Sequence, residues 1–350
     1  MCSQEDLEEI FDQHFKDRQW EYDRGRLAVA SFESEHFGAF QPQVLSQIRT
    51  IINSRLKRYG KEIKPPQGPA TIHLDFIDSA ESNAQTFVED GKYFIGIGSP
   101  MLLDFKRACE ALTEREALTA LLELKPDAST LKAQALATAI FVLQIQFVVF
   151  HELGHIFHNH RGARSFRKEY VPSPEEKILL LWPDRNGEHV SEMLADRYAV
   201  RMLLQDMIST ETGANIYKGV GSALDPDECF LLLLILSIGA SFFFGPSERF
   251  HPPLLRKRNH PSDLARMNIV MRSILEWADE QKREDIKQWA SDYNFKWVTA
   301  CIQDAAQSED RRQDWIEQGE YFKADEGRYL DLLYQNDIVT PEMMKDWWKV

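Results

Sequence analysis

Hydrophobic positions along this chain fall into two regimes that meet near residue 100. Before it, two short strand-like runs stand among helical and polar stretches. TIHLDFID (71–78) alternates Ile72, Leu74 and Phe76 against His73, Asp75 and Ile77, and KYFIGIGS (92–99) follows after a polar connection containing Asp90-Gly91. Gly96 and Gly98 inside the second run suggest a close backbone approach, by a ligand or a peptide. Upstream, Val44, Ile48, Ile51, Ile52 and Leu56 recur at helical spacing from Gln43 to Tyr59, and Gly60 ends the run. KPPQGP (64–69) is a loop, and residues 1–24 read as a polar, helical, peripheral arm.

After residue 100 the spacing is helical almost throughout. Met101–Leu124 makes one or two helices ending before Pro126, and Thr130–His160 makes one long helix. VPSPEE (171–176) interrupts the pattern, His189–Met207 resumes it, and an apolar helix covers 229–244. A proline-rich stretch, GPSERFHPPLLRKRNHPSD, leads into a charged, amphipathic helical tail from Leu264 to Val350 with six tryptophans and no catalytic motif. The expected class is α+β, mostly α. Three parts are expected: a helical N-terminal arm (1–60), a central domain (61–270), and a C-terminal helical cap or lobe for a regulatory protein partner (271–350).

Composition narrows the setting. An apolar fraction of 43% with 11% aromatics over 350 residues supports a filled core rather than disorder. The net charge of −14 repels phosphate backbones, and Arg256-Lys257-Arg258 is too short a basic cluster to reverse that, so no nucleic-acid partner is expected. The acidic start, MCSQEDLEEIF, has no apolar signal-peptide region, and Cys2, Cys109, Cys229 and Cys301 are scattered like reduced thiols. A cytoplasmic location is the expectation. FLLLLILSIGASFFF (230–244) carries no charge over fifteen residues, a helix of roughly 22 Å against a hydrocarbon core of about 30 Å. Its length favours a buried core helix over membrane association through 229–244, and both readings stand at this level.

Within FVVFHELGHIFHNH (147–160) lies His151-Glu152-Leu153-Gly154-His155. Four residues at 100° each bring both imidazoles to one helix face, one turn apart, where they can bind a single metal ion. Glu152 points about 100° away, placed to hold a water beside the metal rather than to ligate it. Five letters are a weak signal, so the third ligand decides. Arg161 stands where a metzincin pattern would need its third histidine, and a straight helix cannot wrap His158 around the same ion; His158 and His160 read as partly exposed polar residues. Downstream, SEMLADRYAV (191–200) places Glu192 and Asp196 four apart on one face amid apolar neighbours. Glu192 can supply the third ligand, and Asp196 can accept the free ring N–H of a ligand histidine. Two histidines and one glutamate suit an open, catalytic zinc site with one ion per chain.

HELGH followed by EMLADRYA resembles the gluzincin metallopeptidases, in particular the HtpX-like and CAAX prenyl proteases, whose second helix carries Glu-x-x-Ala-Asp. Those families have a third motif, His-Pro-x-x-x-x-Arg, after an apolar helix, and His260-Pro261 with Arg266 matches it. The order of parts is also similar to the Lit-type phage-exclusion proteases, which lack long membrane spans. The resemblance covers about residues 70–270. It implies a zincin-like core, with a small sheet, the HExxH helix and a Glu-bearing helix, and hydrolysis of peptide bonds in an intracellular protein, in phage defence or stress. Glu152 would act as general base, His260 would donate to the oxyanion or a substrate carbonyl, and Arg266 would pair with an acid such as Asp196. Substrates of such enzymes lie extended along a sheet edge. Tyr93, Phe94, Ile95, Gly96, Ile97 and Gly98 are the expected edge strand. Two other functions fit the sequence: a non-catalytic zinc-binding sensor on a gluzincin shell, and a membrane-embedded HtpX-like protease.

Overall fold

A computed structural model describes residues 3–18, 23–38, 40, 43–62, 70–124, 130–158, 186–208, 210–244 and 261–292. These residues are mostly helical around one small mixed sheet. Its strands are β1 (Asp23–Arg26), β2 (Ile72–Ser79), β3 (Ala84–Glu89) and β4 (Lys92–Gly98), in the order β1-β2-β4-β3. β2 and β4 run parallel with Ile72 opposite Tyr93, whereas β1–β2 and β3–β4 are antiparallel. The β3–β4 hairpin turns on Asp90 (φ 50°) and Gly91 (φ 70°), the pair of left-handed residues that a two-residue hairpin requires.

Both faces of β2 are buried, so its polar residues, His73 and Asp75, lie inside the protein rather than on a solvent face. Ile72, Leu74 and Phe76 enter the main core. On the other face, Ile77 and Phe94 pack with Leu7, Phe11 and Phe15 of α1 (Gln4–Arg18). Asp75 is fully buried on β2, where Arg49 donates to it at 3.0 Å. Burial alone would raise its pKa, but hydrogen bonds from His73, Arg49 and the Phe76 backbone N–H hold it below the usual carboxylate range.

Further helices fill the core from both ends of the chain. They are α2 (Val29–His36), α3 (Val44–Glu62), α4 (Ser99–Thr113), α5 (Glu116–Leu121), α6 (Thr130–His158), α7 (Asn186–Met207), α8 (Glu211–Val220), α9 (Pro226–Phe244), α10 (Asp263–Glu280) and α11 (Glu284–Asp292). α3 is locked to the sheet by Asn53, whose amide exchanges two hydrogen bonds with the Leu74 backbone at 2.8 and 2.9 Å. Leu27, Val29, Phe37, Phe40 and the buried stripe of α3 share one core with α6 and α9. The apolar stripe of α3 requires that burial. Most of the tail read as a C-terminal lobe, from 293 onward, lies outside the described residues; α10 and α11 pack into the main core.

α9 is apolar all round, and Phe230–Leu236 and Ile238 are each at most 2% exposed. Contacts with α4, α6, α8 and α10 enclose it. Lys132–Phe157 of α6 is long and apolar enough to cross a membrane, and 67% of its most apolar window is buried inside the protein.

One expectation is overturned here. Tyr93–Gly98 is not an edge strand, because β4 is paired on one side with β2 and on the other with β3. The glycines answer to packing instead. A Cβ on Gly96 would stand 2.4 Å from Ile77 Cδ1, and one on Gly98 would stand 2.8 Å from the Glu81 carbonyl oxygen and 3.0 Å from that of Asn83. The true free edge among the described strands on this side is β3, which the sequence pattern passed over as a polar connection.

Gly98→Ala is therefore expected to lower stability by about 1–3 kcal/mol, because backbone oxygens cannot rotate away as a side chain would. Gly219→Ala is the control: nothing lies within 4 Å of a Cβ there, and its helical position favours Ala by roughly 0.5–1 kcal/mol. Chemical denaturation of the two variants checks the contrast, and equal midpoints would remove the packing explanation.

Candidate metal centre

Helix geometry brings the site together from two elements. α6 presents His151 and His155 on one face, and α7 presents Glu192 and Asp196 on one face. α6 and α7 make the most extensive contact between any two described elements. They cross where Gly154 meets Ala195: a Cβ on Gly154 would lie 2.9 Å from the Ala195 Cα and 3.3 Å from its Cβ. Only the absence of a side chain at 154 lets the backbones approach that closely. The sequence reading missed this pair, although a glycine inside a strongly periodic helix is a signal of close packing.

Three donors converge at the crossing. His151 Nε2 and His155 Nε2 are 3.0 Å apart. Glu192 Oε2 lies 3.2 Å from His151 Nε2, and its Oε1 lies 3.4 Å from His155 Nε2. All three residues are buried, and they are the group able to hold a metal ion among the described residues. The spacing tests the fit. Tetrahedral ligands about 2.0–2.1 Å from an ion stand roughly 3.3 Å from one another. The three observed separations bracket that edge length, and the donor chemistry (two imidazoles and one carboxylate) suits a divalent transition metal.

Around the donors lies a buried ionic chain. His151 Nδ1 donates to Asp196 Oδ1 at 2.8 Å. Arg266 of α10 donates to the same carboxylate from Nη2 at 2.7 Å and from Nε at 2.9 Å. Its guanidinium sits 4.3 Å over the Phe242 ring of α9, and that ring meets Phe147 of α6 edge-on at 5.8 Å. Asp196 is fully buried, so burial would raise its pKa; Arg266 first, then His151, hold it below the ordinary value. Losing such a partner from a buried ion pair costs about 3–5 kcal/mol. Arg197 and Arg201 add ion pairs to Glu276 and Glu280, tying α7 to α10 along its length.

Glu152 is buried beside the donors without joining them. Thr86 on β3 donates from Oγ1 to its Oε2 at 2.6 Å. This contact was also missed, because the segment holding β3 was read as a connection. Its signal was Asp90-Gly91: a two-residue turn of that type requires a strand before it as well as after. His260 and His160 lie outside the described residues, and His158 ends α6. Compared with protein-family models, with curated proteins and with solved structures, the chain matches none.

In the metal-free protein, burial pushes the His151 pKa down, but hydrogen bonds to Asp196 and Glu192 outweigh it and lift it to about 10. An imidazolium raised in this way stabilises the fold fully below its ordinary pKa, and that contribution is lost as pH rises through the raised value. A metal must displace this proton to reach Nε2. The apparent Kd for a divalent metal is thus expected to fall at least about tenfold per pH unit between roughly pH 7 and pH 9. Competition with a chromophoric chelator measures it, and a pH-independent Kd would contradict the assignment of that proton.

Proposed function

We propose that this chain is a zinc-dependent endopeptidase of the gluzincin type, built on a zincin-like core. The observation that carries the reading is the buried donor triangle of His151, His155 and Glu192, with a carboxylate held next to it and outside it. A closed structural site takes a fourth protein ligand, whereas three donors, the set found among the described residues, suit catalysis. When bound, zinc polarises a carbonyl and makes water a usable nucleophile at neutral pH. Glu152 takes the proton of the attacking water and passes it to the leaving amine. Asp196 fixes the His151 ring through Nδ1, leaving Nε2 for the metal, and Arg266 keeps Asp196 charged and in place.

The substrate lies extended along β3 rather than β4. β3 is paired on one side only among the described strands, and it borders α6 where Glu152 sits. A peptide adding to that edge gains backbone hydrogen bonds. Val88, 53% exposed, offers it an apolar contact. The donor role of His260, the intracellular protein substrate and the defence or stress setting rest on the motif resemblance.

Protein termini compared between cells expressing the wild type and Glu152→Gln test the reading. New termini are expected with the wild type alone, since loss of a general base lowers the rate by about 10²–10⁴. Equal metal content in the two purified proteins shows that the site itself survives. Identical new termini from both would overturn the role of Glu152, and none from either would favour a zinc-binding protein without turnover.

A further inference from the structure

We propose that Thr86 is the positioning residue of Glu152, a role that rests on the peptidase reading of the site. A glutamate carboxylate has a broad terminal torsion and several rotamers, so a base projecting from α6 needs a partner to hold it. Thr86 supplies one from a different element. Its hydroxyl has a single proton, and two acceptors are in reach: Glu152 Oε2 at 2.6 Å and the Glu152 backbone oxygen at 3.4 Å. The short, charge-assisted bond takes that proton. One carboxylate oxygen is thereby fixed, and Oε1 remains for the water.

The strand that carries Thr86 is itself pinned. Thr86 stands opposite Ile95 of β4, so the hairpin register sets its height along α6. Side chains alternate along β3, and Phe87 and Glu89 point to the α1 face. There the His14 ring stacks on Phe87 at 3.7 Å, and its Nδ1 lies 2.9 Å from Glu89 Oε2. Held from behind in this way, β3 presents Thr86 to α6 and cannot rotate it away. Substrate edge and general base are thus coupled through one hydroxyl, so that a peptide adding to β3 meets a base already aimed.

A brace between strand and helix would also use this bond, so the test must read the carboxylate's aim rather than stability. Acetohydroxamate serves as the probe: it binds zinc through its two oxygens and shares its hydroxyl proton with a neighbouring carboxylate. Its Kd is measured by calorimetry on the zinc-loaded full chain. Thr86→Val, which keeps the shape and removes the hydroxyl, is expected to weaken binding about tenfold, as for the loss of a hydrogen bond to a charged group. Thr86→Ser is expected to restore it within about twofold, with zinc affinity unchanged in both. In the Glu152→Gln background, Thr86→Val is expected to add no further loss, because the hydroxyl acts through that carboxylate.

Wild-type affinity in Thr86→Val overturns the proposal, as does a loss that adds fully to that of Glu152→Gln, or one that tracks a parallel loss of zinc. A wild-type chain that holds zinc but not acetohydroxamate also overturns it, since no base then stands where Thr86 would aim it. Additive losses beside Glu152-dependent cleavage would sink the role of Thr86 and leave the peptidase reading standing. A coupled cycle without any cleavage would do the reverse.

Discussion

The close crossing of α6 and α7 at Gly154 and Ala195 is the constraint on which the centre depends. Helices pack at axial distances of 8–10 Å depending on the side chains between them. Here no side chain intervenes on α6, so the backbones meet with an ideal Cβ position only 2.9 Å from the opposing Cα. Two imidazoles from one helix and a carboxylate from the other then fall within ligand distance of one another without any long or strained side chain. A methyl group at 154 would stand 2.9 Å from the Ala195 Cα, so the two helices would have to move apart at the level of the donors.

That crossing places several charges out of water, and the rest of the local structure compensates them. Glu192 and Asp196 approach His151 from two sides, and Arg266 balances Asp196 from α10. Phe242, near the end of the apolar helix α9, lies against the guanidinium. The chain from His151 to Asp196 to Arg266 to Phe242 spans α6, α7, α10 and α9. Burial of α9 is therefore part of the site's construction as well as of the core.

Much of this was legible in the sequence where the signal was local and periodic. The spacing of His151 and His155, and of Glu192 and Asp196, fixes which side chains share a face, and helical geometry needs no tertiary knowledge for that. The long helices were visible for the same reason; α9 was legible as an apolar helix, and its packing against α4, α6, α8 and α10 is what shows it buried in the core. What escaped was non-local. Whether β4 is central or marginal depends on a partner strand, and β3 (AQTFVE) mixes polar and apolar residues because its two half-buried faces touch α1 and α6 and also meet solvent. β1 is short and polar, with no period to read. Glycine has two meanings in a strand, room for a ligand or room for a neighbour, and only the coordinates separate them: Gly96 makes way for Ile77, and Gly98 for the carbonyls of Glu81 and Asn83.

The central claim is that His151, His155 and Glu192 hold one metal ion between them. X-ray absorption spectroscopy on the zinc-loaded full chain tests it most directly. The account predicts a single zinc per chain with two imidazole nitrogens and oxygen ligands at about 2.0–2.2 Å. Substoichiometric zinc, or a spectrum lacking the two-imidazole scattering pattern, would contradict it.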